Sequence, residues 1–221
     1  MTAETFYSLL SRIGDVASYA GLAPLLFLLF RRDRTSPYKM TLVIILLASI
    51  LCDALSIYLS RMSVNNLFMT HIWAFIELPL WASFFIALFR KSVLIKRVLI
   101  TATVTGMLLT LADTVFFESI VTFNTYGRTA VAVIIICFCL LYFFCYPESD
   151  NNYGFWIAAA LLVYNGSNVL LFIFSNSLLK QQPLVNHVIW AFHSLLLIGL
   201  YAAIIADGLS WKKKHTSPQF M

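Results

Sequence analysis

Asp53, Glu77 and His193 carry the chemistry this sequence could perform, because each stands inside an apolar run with no loop to solvate it. Asn165 and Asn168 lie in a fourth run of the same kind. Two further histidines, His71 and His187, each come shortly before a repeated triplet, Trp73-Ala74-Phe75 and Trp190-Ala191-Phe192. An ionised carboxylate is expensive inside a membrane unless a partner stabilises it, so such groups mark candidate functional sites. An imidazole at the same depth can share the proton or carry positive charge. Each asparagine adds donors and an acceptor that can orient a bound molecule. Together these residue types could bind a small polar ligand, relay protons or hold a metal ion.

Helices must position them. Seven apolar spans are expected, near 6–30, 40–60, 68–89, 93–116, 126–146, 153–175 and 184–207, since about 20 apolar residues in a helix cross the hydrocarbon. Helix rise then gives depth. Asp53 and Asn168 fall about 10–12 Å from the nearer end of their spans, and Asn165 one turn deeper. Glu77 and His193 fall about 13 Å in from theirs. Four spans thus place their most polar side chains at one level. Asp113, His71 and His187 are expected closer to the same end, and the opposite half reads as mostly Leu, Ile, Val and Phe.

Composition agrees. The 221 residues are 61% hydrophobic and 11% charged, where soluble domains are nearer half apolar and a quarter charged. The fold class is therefore all-α: one polytopic seven-helix membrane domain, 1–221, with a basic tail from 208 to 221. No polar interval is long enough for a soluble domain. The net charge of +5 comes from cations at span ends, so no nucleic-acid partner is implied. Cys52, Cys137, Cys139 and Cys145 lie in apolar runs and read as core residues. No basic region precedes the first apolar run, so a cleaved signal peptide is not expected.

Orientation follows from cation asymmetry. With the N-terminus outside, Arg31, Arg32, Arg34, Lys39, Arg90, Lys91, Lys96, Arg97, Lys212, Lys213 and Lys214 lie inside, eleven in all, against Arg12, Arg61, Arg128 and Lys180 outside, which is four. The expected location is a bacterial inner membrane, with the C-terminus cytoplasmic.

Internal similarity suggests how the spans are related. Leu46-Leu47 through Asp53 to Ser60 aligns with Leu161-Leu162 through Asn168 to Ser175, residue 53 onto 168 at an offset of 115. The Trp-Ala-Phe triplets align 73 onto 190 at an offset of 117. A second outer loop longer by two residues reconciles these offsets. The expected plan is a parallel three-one-three repeat, halves about 6–89 and 126–207, with 93–116 as linker.

Several families share parts of this pattern. The lack of lysine between Leu184 and Asp207 argues against a retinal protein. His187 and His193 are six apart and point about 120° apart on a helix, unlike the histidine pair of zinc-dependent seven-helix hydrolases. Ser49-Ile50-Leu51-Cys52-Asp53 is similar to the Ser-x-x-Gly-Asp segment of lysoplasmalogenase-like membrane enzymes, with Cys52 for the glycine and Asn168 for the second-half acid. The three-one-three plan resembles that of SWEET-type and PQ-loop transporters, without their Pro-Gln turns at helix breaks. Asn66, His71, Trp73 and Glu77, with Ser175-Asn176, Trp190 and His193, resemble uncharacterised bacterial seven-helix integral membrane proteins over most of the chain. That resemblance implies the topology and the polar residues, and no activity.

The reading that follows is a polar cavity in the outer half of the bundle that binds, senses or carries a small polar ligand or protons. Asp53, Glu77 and His193 bear charge in it, Asn165 and Asn168 orient, and His71, His187, Trp73 and Trp190 line it. The alternatives are an intramembrane lipid-modifying hydrolase using Asp53 and Glu77, and a membrane scaffold. No cofactor or metal is expected. The partners are the lipid bilayer, a small ligand and, for a sensor, a membrane or signalling protein.

Overall fold

The computed structural model describes residues 3–31, 38–89, 92–145, 154–178 and 183–213. Arg32, Arg34, Arg90, Lys91, Lys180 and Lys214 lie outside the described residues. The helices are α1 (Ala3–Ala20), α2 (Leu22–Phe30), α3 (Lys39–Arg61), α4 (Phe68–Leu88), α5 (Val93–Ala112), α6 (Thr125–Cys145), α7 (Phe155–Leu178) and α8 (Pro183–Lys213). Among the described residues, seven helical segments are long and apolar enough to cross a membrane, α1 and α2 jointly supplying the first over Arg12–Phe30.

Local chemistry explains the irregularities. The first span breaks at Gly21 because Pro24 has no N–H to give the carbonyl of Ala20. Gly21 also sits where a Cβ would come within 3.2 Å of the Tyr201 ring. Pro79 lies within α4, which continues past it, and the Pro79 carbonyl accepts from Ser83 Oγ at 2.8 Å. α5 ends in a π-turn, Asp113–Phe117, closed by Glu118 N–H onto the Asp113 carbonyl at 2.9 Å. Such turns displace one residue from the helical register and often mark functional positions. α8 runs beyond the expected end at Asp207, because Gly208 and Ser210 continue in helical geometry.

The surface identifies the solvent. On α5, Ile100, Val104, Leu108 and Leu111 are exposed, and on α3 so are Leu47, Leu51 and Leu55. A soluble bundle would put charge there; hydrocarbon accepts these side chains, and helices leave it no unpaired backbone. The chain is a multi-pass membrane protein in contact with the bilayer.

Helix neighbours run in a ring: α2 against α3, α3 against α4, α4 against α6, α6 against α7, α7 against α8, and α8 back against α1 and α2. α5 packs on α4 and α6. One end of the bundle holds the 62–67 turn and the 118–124 segment, and is called the Asn124 end below. The other holds Tyr38, Gly154 and Asp207. At this Asp207 end Tyr38, Phe84, Phe85, Phe138 and Tyr142 form a buried aromatic plug, Tyr38 meeting Phe84 edge-on at 5.0 Å and Phe85 meeting Phe138 at 5.8 Å. Within it Asp207, fully buried, accepts from Tyr38 Oη at 2.8 Å and from Gly154 N–H at 3.0 Å. Gly154 has φ +79°, and a Cβ there would approach Leu88 at 3.0 Å, so the turn into α7 requires glycine.

Candidate functional site

A cavity of about 200 Å³ lies in the bundle, walled by α3, α4, α6, α7 and α8. Its polar wall is Ser49, Cys52, Asp53 and Ser56 of α3, Thr70 and Glu77 of α4, Arg128 of α6, Tyr164 of α7, and His193 and Tyr201 of α8. Its apolar wall includes Trp73, Trp81, Trp190, Phe123 and Phe172. On α4 the lining runs from Met69, one residue inside the helix start, to Trp81, where the aromatic plug begins. The chamber therefore reaches toward the Asn124 end and stops at the plug.

An ion pair crosses the site. Arg128 Nη1 donates to Glu77 Oε2, and both side chains are buried, with residue exposures of 6% and 4%. The guanidinium also stacks over the Phe172 ring, 4.7 Å from its centroid, adding a cation–π contact. Charge asymmetry alone places Arg128 on the outer side. The structure puts it in the first turn of α6, turned inward to a carboxylate partner, so it is part of the interior.

His193 Nδ1 lies 2.8 Å from Asn168 Oδ1, and Nε2 lies 3.4 Å from Tyr164 Oη. An imidazole protonated at Nδ1 donates to the amide oxygen and accepts from the phenol, so a neutral ring satisfies both partners. Trp190 meets the same ring edge-on at 5.5 Å. Asn168 Nδ2 is buried without a partner among the described residues.

By contrast, no hydrogen bond or ion pair among the described residues reaches the Asp53 carboxylate, which is half-buried in the cavity wall.

Beside the chamber, the start of α6 is buried except at Tyr126, and its first amides need acceptors. Glu118 Oε2 takes the N–H of Thr125 at 2.5 Å and of Tyr126 at 3.3 Å, Asp113 Oδ2 takes Gly127 at 3.1 Å, and Asn124 Oδ1 takes Arg128 at 3.0 Å. All four are met by side chains. His71 is tied into this cap. Its Nε2 lies 3.2 Å from the Thr122 carbonyl and so must donate, which leaves Nδ1 to accept from Asn124 Nδ2 at 3.0 Å, with Thr114 Oγ1 also at 3.0 Å. Asn176 of α7 completes it, donating to Thr125 Oγ1 at 2.6 Å and accepting from Phe123 N–H at 3.1 Å. The cap holds Arg128 in the position from which it meets Glu77.

Of the residues singled out from sequence, Asp53, Glu77, His193, Trp73 and Trp190 line the one chamber. Asn168 acts on it through His193, and His71 belongs to the cap. Asn165 is buried and donates to the Leu161 carbonyl at 3.0 Å. His187 is exposed and lies outside the cavity wall. Arg128, Tyr164 and Tyr201 are wall residues that sequence reasoning missed. Only Arg128 left a signal, a cation in the first turn of an apolar span. Among the described residues, no three His, Cys, Asp or Glu side chains gather as a metal site would need. Comparisons with family models, curated proteins and solved structures find no match to this chain.

Proposed function

We propose that this membrane protein binds a small polar ligand in the chamber between α3, α4, α6, α7 and α8, as a carrier or as the receptor part of a sensor. One observation carries the reading: Asp53, the Glu77–Arg128 pair and His193, from four helices, line a single cavity. A structural clamp would consume its polar groups in mutual contacts. Here Asp53 is left over, and about 200 Å³ of space remains beside it, room for roughly seven waters at about 30 Å³ each.

In this reading the Asn124 end faces outward and the Asp207 end inward, as the positive-inside rule requires. With Arg128 moved to the interior, three outer cations face eleven inner ones. A bacterial inner membrane is the proposed location. The three-one-three repeat draws support from the helix neighbours. α5, the linker, packs outside the ring, and the aligned tryptophans Trp73 and Trp190 both line the chamber.

Trp73, Trp81 and Trp190 are three of the five tryptophans, so occupancy should register in intrinsic fluorescence. In a screen of small polar compounds across pH on purified protein, at least one class is expected to change that fluorescence and raise the melting temperature. Glu77→Gln and His193→Ala should abolish both effects. No response to any compound would overturn the proposal.

A further inference from the structure

Resting on the chamber reading above, we infer that the ligand is a small organic ammonium ion, held by Asp53 among tryptophan and tyrosine rings. The first argument is charge. Glu77 and Arg128 neutralise each other by direct contact. Asp53 has no such partner among the described residues, so with a neutral His193 the chamber keeps one uncompensated negative charge. An ionised carboxylate in a low-dielectric wall is costly until a cation joins it, and a monovalent cation closes that balance.

The second argument is the rest of the wall. Trp73, Trp81, Trp190 and Tyr201 line the same cavity as Asp53. A bare metal ion needs several oxygen ligands in place of its water. An alkylated ammonium is weakly hydrated and is attracted by ring faces, tryptophan most of all. A carboxylate with three indoles and a phenol is the donor set that suits the organic cation. With Glu77 and Arg128 paired, the one remaining carboxylate matches a ligand with a single positive charge.

The test uses purified full-length protein and three probes of one shape: choline, its uncharged carbon isostere dimethylbutanol, and the anionic dimethylbutanoate. Binding is read by tryptophan fluorescence and by calorimetry, with sodium and potassium chloride as competitors. Choline is expected to bind, the other two to bind far more weakly, and neither salt to compete beyond ionic-strength screening. Asp53→Asn should weaken choline on the order of thirtyfold or more, the loss expected when one of two buried charge partners is removed. It should not lower the melting temperature of the ligand-free protein, because Asp53 has no hydrogen-bond or ion-pair partner among the described residues to lose. Trp73→Phe should weaken choline less, and by a similar factor for tetramethylammonium. Equal binding of dimethylbutanol, preference for the anion, displacement by sodium or potassium, or full binding in Asp53→Asn would each overturn the ammonium inference. If only uncharged or anionic compounds bind, and do so in a manner lost in His193→Ala, the ammonium inference fails while the chamber stands. If the wide screen gives nothing, both fail.

Discussion

Glu77→Gln alone, or Arg128→Met alone, is expected to cost about 3–5 kcal/mol of stability, because either leaves one charge buried without its counter-ion. The two together should recover most of that loss, since an uncharged pair carries no desolvation cost. Position makes the effect large. Both residues are more than nine-tenths buried, in a protein surrounded by hydrocarbon, where a single charge at the centre of a span costs roughly 2.5–3.5 kcal/mol even with relaxation. The guanidinium has a second anchor, the Phe172 face, so Arg128→Lys should also lose stability, since a lysine has neither the planar fork nor the stacking surface. Unfolding by denaturing detergent, run as a double-mutant cycle, measures this. A coupling energy near zero, with mild single substitutions, would mean that the two side chains do not meet.

The second large effect lies at the other end of the bundle. Asp207→Leu is expected to cost about 3 kcal/mol, since it removes the acceptor of both the Tyr38 hydroxyl and the Gly154 amide in the core, each such loss costing about 1–3 kcal/mol. Tyr38→Phe removes one donor only and should cost about 1 kcal/mol. Asp207→Asn keeps an acceptor for one of them and should fall between the two. The same unfolding assay orders these three substitutions. Equal costs for Asp207→Leu and Tyr38→Phe would show that Gly154, and with it the start of α7, does not depend on Asp207. Because the plug closes the chamber on this side, the substitutions should change stability and leave ligand affinity at the Asp53 level alone.

How much of this was readable beforehand differs by element. The spans were legible because apolar length is a one-dimensional property, and helix ends fell within a few residues of expectation for α3 through α7. α8 continues past its expected end at the acid Asp207. That acid faces inward to Tyr38 and Gly154, partners that lie far away in sequence. Helix rise put Asp53, Glu77 and His193 at one expected level, since rise is fixed by backbone geometry, and the three line one cavity. Azimuth is not fixed that way. Asn165 and Asn168 differ by three positions, yet one bonds its own helix and the other bonds His193. Arg128 counts as an outer cation in the charge asymmetry. The 118–124 segment folds over the start of α6, with Glu118, Asp113 and Asn124 occupying the amides, and no local pattern announces it. His71 was expected to line the cavity and instead serves the cap, for the same reason.

Ligand binding at Asp53 requires a chamber that water reaches, and a native residue reports on it directly. Cys52 lines the cavity, Cys139 is buried in the core, and Cys137 and Cys145 are exposed along a span. With Cys137, Cys139 and Cys145 replaced by alanine, a water-soluble trimethylammonium methanethiosulfonate should modify Cys52 in the folded protein. It should react faster than a sulfonate reagent of the same size, and more slowly when choline is present. A Cys52 that reacts only after denaturation would mean that the chamber admits no water-soluble molecule, and the functional reading would fall with it.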